Sequence, residues 1–402
     1  MTTASERARQ RALGAFSPAE REVVVALRRD LHQHPELSWQ EQRTAARLEK
    51  ALRDLGLGDI RRVARTGVVA RIPGRRSDAP VVAIRGDIDA LPIQEETGLA
   101  FASTVDGVMH ACGHDVHASW AVAAAMRLLA EPAAGDVLVV LQPAEEVGAG
   151  AFAILESGAL DGVAAIFGGH VDRRFAVGEV VVEPGPLAAS ADSFSIEIIG
   201  QGAHGARPHE AADPIVAGAA IVAALQTIVA RRVDPAAPAV VSVGSFHAGV
   251  AANVIPERAT LTGTLRAMDP VTRQRLLDEV ARISVAVGEA HGVNVAARVE
   301  RGTPPIVNTP REAEWARAAA ASALGSDAVV PFGITNMGGE DFAFYMERIP
   351  GCFMRIGARE TGGERIAAHS PRFHASEDAI FVGAALLAEC ARTASRELLA
   401  AR

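Results

Sequence analysis

The sequence predicts an α/β fold built on a mainly parallel sheet and interrupted by a smaller α+β insertion. Three apolar runs, Val81-Val82-Ala83-Ile84, Val137-Leu138-Val139-Val140-Leu141 and Val163-Ala164-Ala165-Ile166-Phe167, show no polar alternation. Such runs mark strands covered on both faces, and helical segments at 119–129 and 149–155 can supply the covers. Beyond Leu187 the pattern changes: Ser193-Phe194-Ser195-Ile196-Glu197-Ile198-Ile199 alternates, as a strand with one wet face does. After Gly302-Thr303-Pro304-Pro305 the first kind of segment returns. The expected division is 1–187 with 302–402 for the α/β domain and 188–301 for the insertion.

Taken in order, Ser17-Pro18-Ala19-Glu20 and Ser38-Trp39-Gln40-Glu41 both fit the capping box and predict two opening helices. Pro35 disfavours helix at His34, which places the join there, and Leu55-Gly56 ends the second helix. The three apolar strands follow. In the insertion, the strand at 193–199 leads to a helix started by Asp213-Pro214, strands at 239–243 and 260–266, a helix at 270–291 and a strand at 293–299. This strand-helix-strand-strand-helix-strand order is the split βαβ, ferredoxin-like pattern. Helices from Arg311 and Glu377 and a short strand at 352–356 return to the first domain.

Composition excludes several functions. A net charge of −8 argues against a nucleic-acid or anionic-membrane partner, and a single Tyr with three Trp argues against base stacking. Three cysteines do not make a disulfide framework; Cys352 and Cys390 read as small buried apolar residues. The N-terminal residues have no apolar signal core, and the apolar stretch at 215–230, broken by Gly218 and Gln226, reads as a buried or interface helix. The expected location is the cytoplasm.

Candidate chemistry gathers at the carboxyl ends of the apolar strands, where open α/β sheets bind ligands. Ile84 runs into Arg85-Gly86-Asp87-Ile88-Asp89, Leu141 into Gln142-Pro143-Ala144-Glu145-Glu146, and Phe167 into Gly168-Gly169-His170. Asp87, Glu145, Glu146 and His170 are therefore expected to converge. The stretch His110-Ala111-Cys112-Gly113-His114-Asp115-Val116-His117 adds one thiol and three imidazoles. Cys112 and His114, two apart, point to the same side of extended backbone and can reach one ion, and thiolate plus imidazole suits zinc and similar divalent metals. An isolated Glu-Glu is ordinarily a solvated loop pair. At this sheet edge, adjacent carboxylates pointing different ways let one hold an ion while the other deprotonates a water. His170 follows two glycines that permit close approach. His369 and, five residues on, His374 are further ligand candidates.

These motifs resemble, in order, those of the metal-dependent amidohydrolase and peptidase family that includes hippurate hydrolase, N-acyl-amino-acid amidohydrolases and plant auxin-conjugate hydrolases. The resemblance runs through Leu31-His32-Gln33-His34-Pro35-Glu36-Leu37, Arg85-Gly86-Asp87-Ile88-Asp89-Ala90-Leu91-Pro92, His110-Ala111-Cys112-Gly113-His114-Asp115, Gln142-Pro143-Ala144-Glu145-Glu146, Gly202-Ala203-His204-Gly205, Asp213-Pro214, Asn253-Val254-Ile255-Pro256, Gly263-Thr264-Leu265-Arg266 and Gly339-Glu340-Asp341-Phe342. It spans nearly the whole chain.

The resemblance implies an α/β catalytic domain with an inserted α+β lid that mediates dimerisation, in a homodimer or dimer-based tetramer. It implies two divalent ions per subunit, of zinc, manganese, cobalt or nickel. Cys112 would bridge them, with His114 and Glu146 completing one ion's ligands and His170 and His369 the other's. Glu145 would be the general base and Asp87 the acidic residue that orients a ligand. His204 would stabilise the oxyanion, and Asn253 and Arg266 would bind the carboxylate of the amino-acid product. The implied reaction is hydrolysis of an N-acyl or N-aroyl amino acid to a carboxylic acid and a free amino acid. The chain departs from the family at His374, where relatives carry Asp, and at Val171-Asp172-Arg173-Arg174, where they carry a proline. The rivals are a dipeptidase or aminopeptidase of the same superfamily, a thiol enzyme using Cys112 with His114 or His117, and a non-catalytic binding protein.

Overall fold

The structure is a computed structural model that describes residues 2–401. In chain order it contains α1 (Ala4–Gly14), α2 (Pro18–Gln33), α3 (Gln42–Asp54), β1 (Ile60–Val63), β2 (Gly67–Ile72), β3 (Val81–Asp87), α4 (His114–Ala130), β4 (Val137–Gln142), α5 (Gly150–Glu156), β5 (Val163–Ala176) and β6 (Val180–Val181). Next come β7 (Gly185–Ala188), β8 (Ala191–Ile199), β9 (Ala203–His204), α6 (Pro214–Arg232), β10 (Ala239–Ala248), β11 (Val254–Ile255), β12 (Arg258–Ala267), α7 (Pro270–Ala290), β13 (Asn294–Thr303) and β14 (Ile306–Asn308). Then follow α8 (Pro310–Leu324), α9 (Ala343–Met346), β15 (Gly351–Arg359) and α10 (Asp378–Ala400). The chain divides into two compact units, one of residues 1–185, 308–333 and 344–402, the other of 186–307 and 334–343.

The first unit holds a seven-stranded sheet in the order β1-β2-β4-β3-β5-β15-β6. Its middle four strands are parallel, but β1–β2, β2–β4 and β15–β6 pair antiparallel, so the sheet is mixed rather than mainly parallel. The apolar runs revealed only the parallel centre. The edge strands are short or, like Ile60-Arg61-Arg62-Val63, partly polar, and one-sided burial leaves no unbroken apolar run. Every residue of β4 is buried, and α4 is buried along residues 114–125. Trp120 of α4 is fully buried against Gly383 of α10, where a Cβ would come within 2.4 Å of the indole.

Local signals are used unequally. Ser17 caps α2 in a complete capping box with Glu20, and an additional helix, α1, is capped the same way by Thr3 and Glu6. The second expected box fails: α3 begins after Glu41 with no side-chain cap of that kind. Its first N–H groups, of Arg43 and Thr44, are accepted instead by Glu36 at 3.1 and 2.8 Å. Ser38 and Glu41 are drawn into longer-range bonds described below.

The second unit is a four-stranded antiparallel sheet, β10-β12-β8-β13. β8 alternates buried and half-buried residues along its length. Phe194, Ile196 and Ile198 of β8 share one core with Ile221, Leu225 and Ile228 of α6 and Leu276, Val280 and Ile283 of α7. By length and composition α6 is apolar enough to cross a membrane, a test that core helices also pass. Here it lays Ala217, Gly218, Ile221, Leu225 and Ile228 against its own sheet, with Gly218 letting Phe246 approach.

Candidate metal centre

Two carboxyl-terminal strand ends, the middle of a third strand and one helix start build the site in the first unit. β3 delivers Arg85 and Asp87, β4 leads into Glu145 and Glu146, and β5 contains His170. Gly113, with φ of 88°, turns the chain so that Cys112 precedes α4 and His114 opens it. A Cβ on Gly113 would lie 2.5 Å from Val171, so the turn needs glycine for both conformation and space.

The imidazoles are oriented by the atoms behind them. His114 Nδ1 donates to the Asp89 carbonyl at 2.9 Å and lies 3.1 Å from Asp89 Oδ1. A carbonyl only accepts, so the proton sits on Nδ1 and Nε2 faces inward. His170 Nδ1 likewise donates to the Val171 carbonyl at 2.7 Å, leaving Nε2 3.2 Å from Cys112 Sγ. His117 differs. Its Nδ1 donates to Asp87 Oδ1 at 2.6 Å, and its Nε2 accepts the Val171 N–H at 3.0 Å. Both nitrogens are used, so His117 has no lone pair left for an ion.

The carboxylates close the other side. Glu145 Oε2 and Glu146 Oε1 stand 3.9 and 3.7 Å from His114 Nε2. Glu146 Oε2 stands 3.5 Å from His369 Nε2. Donor atoms of Cys112, His114 and His170 lie within 4.8 Å of one another, as do those of Cys112, Glu146 and His369, and those of His114, Glu145 and Glu146. The third group keeps the expected pair His114 and Glu146, while the first two join Cys112 to one member of each expected pair. All five expected ligands and Glu145 therefore lie in one cluster. His369 adopts φ of 65° and is anchored by its N–H to the Ala111 carbonyl at 2.8 Å. His374 is turned elsewhere, with Nδ1 3.2 Å from the Arg372 carbonyl and Nε2 3.6 Å from Glu360.

Asp87 is not the carboxylate that orients His114. Its Oδ2 is 3.7 Å from His114 Nε2, beyond hydrogen-bond reach, and it accepts from Arg85 Nη1 at 2.5 Å and from His117. Asp89, two residues on, orients His114, accepts the Ser38 hydroxyl at 2.7 Å and accepts the Glu146 N–H at 3.0 Å. The i, i+2 acid pair was visible in the sequence, but which member met the ring depended on the chain leaving β3 after Asp87. Glu41 was also missed. It is fully buried and accepts the Ala144 N–H at 2.9 Å and the Thr66 hydroxyl at 2.6 Å, bracing the residue before Glu145.

The donor set fits divalent metal. His114 Nε2 and Glu146 Oε1 are buried and face each other without a hydrogen-bond partner, an arrangement that leaves two polar groups unsatisfied unless a cation joins them. Burial and the neighbouring Glu146 push the Cys112 thiol well above its ordinary range, and burial raises Glu146 as well. A bound cation would favour the ionised forms of Cys112 and Glu146. The same shift disfavours a free thiolate nucleophile; Cys112 Sγ is 3.2 Å from His170 Nε2, with His114 in the same donor group and His117 outside it. Burial would raise Asp87, but Arg85 and the two imidazoles outweigh it and hold the carboxyl well below its usual range.

In the second unit, His204 of β9 pairs with Val254 of β11, and the Gly205 N–H donates to the Asn253 carbonyl at 2.8 Å. His204 and Asn253 are thus close neighbours, both exposed. Arg266, half-buried on β12, lines a separate depression of about 260 Å³ with Thr264, Glu300 and Arg301.

Residues 83–393 match the profile of peptidase family M20/M25/M40. The chain is 41% identical over 372 residues to N-acetylcysteine deacetylase of Bacillus subtilis, covering 92% of this chain and 96% of that protein. It is 42% identical over 288 residues to N-acyl-L-amino acid amidohydrolase of Geobacillus stearothermophilus, covering 71% and 78%. Its fold superposes on the Bacillus subtilis YXEP protein, a dinuclear metal binding peptidase from the M20 family, with a TM-score of 0.84, 38% identity and coverage of 94% and 99%.

Proposed function

The chain belongs to peptidase family M20/M25/M40, and from that premise we propose that it is a metal-dependent amidohydrolase that splits N-acyl or N-aroyl amino acids into a carboxylic acid and a free amino acid. The observation that carries this reading is the Glu145 carboxylate at the edge of the donor cluster, 3.9 Å from the buried His114 Nε2, which has no hydrogen-bond partner. Cys112, His114, Glu146, His170 and His369 would hold two divalent cations (zinc, manganese, cobalt or nickel), with Cys112 shared. Bound there, such ions polarise the scissile carbonyl and acidify the attacking water.

The chain's own residues do the rest. Glu145 takes a proton from water as the water oxygen bonds to the amide carbon, and returns it to nitrogen as the C–N bond breaks. Asp89 keeps the His114 proton on Nδ1, so Nε2 stays a donor of electrons. Glu41 and Asp89, through the Ala144 and Glu146 N–H groups, hold the backbone on either side of Glu145. By resemblance to the family, His204 serves the oxyanion, and Asn253 and Arg266 take the product carboxylate, for which a guanidinium offers a bidentate fork. By the same resemblance the second unit is a ferredoxin-like lid and dimerisation domain, and the enzyme is a cytoplasmic homodimer or dimer-based tetramer.

The test is release of free amino acid from a panel of N-acyl amino acids, by metal-stripped enzyme and after return of each divalent metal. Activity that returns with metal, and is lost by roughly 10²- to 10⁴-fold in Glu145→Gln with metal content unchanged, supports the reading. Cleavage of dipeptides with no release from any N-acyl amino acid would move the protein to the peptidase branch. Near-normal turnover by Glu145→Gln would remove Glu145 as the base.

A further inference from the structure

His369 stands apart from the other donors in the cluster. It comes from no helix or strand, its side chain is about half exposed, and its backbone is left-handed. A non-glycine residue in that conformation costs about 1 kcal/mol or more and persists only where its surroundings hold it. The surroundings include one residue that neither the family motifs nor the mechanism uses. Arg173 lies on β5, three residues after His170, and its side chain is only 2% exposed.

Every nitrogen of that guanidinium is engaged by the segment that carries His369. Nη1 donates to the His374 carbonyl at 2.7 Å and meets the Glu360 carboxylate at 2.9 Å. Nη2 donates to the Glu364 carbonyl at 2.8 Å, and Nε to the same oxygen at 3.3 Å. One rigid fork therefore grips residues 360 and 364 before His369 and residue 374 after it. Within the loop, the Pro371 carbonyl accepts the Glu96 N–H at 2.8 Å, and Phe373 packs against Gly113. A buried arginine is tolerated when all its donors are satisfied, and here the acceptors are mostly loop backbone. Lysine could not span them, because its ammonium is a compact point charge.

We propose that Arg173 is a positioning residue for the metal centre: it clamps both ends of the 360–374 loop and so sets where His369 presents Nε2 beside Glu146. This inference rests on His369 being a metal ligand. It assigns a purpose to the arginine in the strip after His170, where the chain departs from the family's proline. Partners that orient a ligand are worth roughly 10- to 100-fold in metal affinity, and Arg173 acts at one remove through the backbone.

The experiment is a titration of the metal-free, full-length protein with Zn²⁺ against a chromophoric chelator, for wild type, R173M, H369A and the double variant. The expected result is that R173M and H369A each weaken the same binding step, R173M by roughly 10-fold or more, and that the double variant binds no more weakly than H369A alone. Non-additivity of that kind shows action through His369; a general loss of packing would add to the H369A defect. Unchanged Zn²⁺ binding by R173M, beside a weakened H369A, overturns the clamp while leaving the ligand assignment standing. Unchanged binding by H369A overturns the ligand assignment and the clamp with it. If R173M does not fold, R173K replaces it, with a smaller change in the same step expected and no change refuting the clamp.

Discussion

Glu41→Ala separates a helix cap from a long-range brace. Read locally, Glu41 completes a capping box with Ser38, and losing such a box costs about 1 kcal/mol. In the fold its carboxylate is fully buried and accepts two hydrogen bonds, from Ala144 N at 2.9 Å and Thr66 Oγ1 at 2.6 Å. Alanine leaves both donors without their acceptor, at about 1–3 kcal/mol each. Burial raises the Glu41 carboxyl, so part of this is offset by the desolvation cost that the variant no longer bears. The expected net loss is about 2–4 kcal/mol. Glu41→Gln retains an oxygen for Ala144 and an amide that Thr66 can accept from, so it should lose about 1 kcal/mol or less. Urea unfolding followed by circular dichroism reads both, with unchanged slopes confirming that stability alone has moved. Ala144 holds φ of 51° directly before Glu145, so kcat should fall further than KM worsens in Glu41→Ala and recover in Glu41→Gln. A loss in Glu41→Ala below about 1 kcal/mol, equal to that of an ordinary exposed cap, refutes the brace.

Two further outcomes follow from the same kind of reasoning. Glu95 is opposed by burial, but His32 at 3.2 Å, Thr97 and the Ser103 N–H at 2.7 Å outweigh it and lower its carboxyl to about 2. A depressed acid contributes stability that is present above its unfolded value of 4.5 and is lost as pH falls towards about 2. The shift corresponds to about 3 kcal/mol at most; the gap between wild type and Glu95→Gln should therefore be large at pH 6 and shrink by pH 3, and a gap independent of pH would sink the assignment. Gly150→Ala places a Cβ 1.6 Å from the Pro143 carbonyl oxygen and should cost several kcal/mol in thermal unfolding, at or above the ~1–3 kcal/mol of ordinary overpacking, whereas Gly14→Ala, whose Cβ meets nothing within 4 Å, should be neutral or slightly stabilising.

Much of this protein was legible in its sequence because the responsible forces are local. Ser17 with Glu20 and Asp213 before Pro214 start helices through bonds that close within a few residues. The central strands showed as unbroken apolar runs, since a strand buried on both faces has no polar side to display. The rule that ligands meet carboxyl strand ends pointed to one edge for Asp87, Glu145 and Glu146, because strand direction fixes where each chain emerges, whereas β5 runs on past His170 to Ala176.

Tertiary structure decided what local pattern left degenerate. Ser38 and Glu41 match the capping box as well as Ser17 and Glu20 do, yet both side chains bond to Asp89, Thr66 and Ala144 instead. Asp87 and Asp89 are chemically identical and two residues apart, and only the path of the chain beyond β3 put Asp89 against His114 and Asp87 against His117 and Arg85. His369 and His374 were equal candidates by residue type. The Arg173 fork and the Ala111 carbonyl turned the first towards Glu146 and left the second beside Glu360. A sequence pattern records what a residue can bond to within a few positions; which of several equivalent partners it meets across the fold depends on atoms that the packed core alone brings within hydrogen-bond distance.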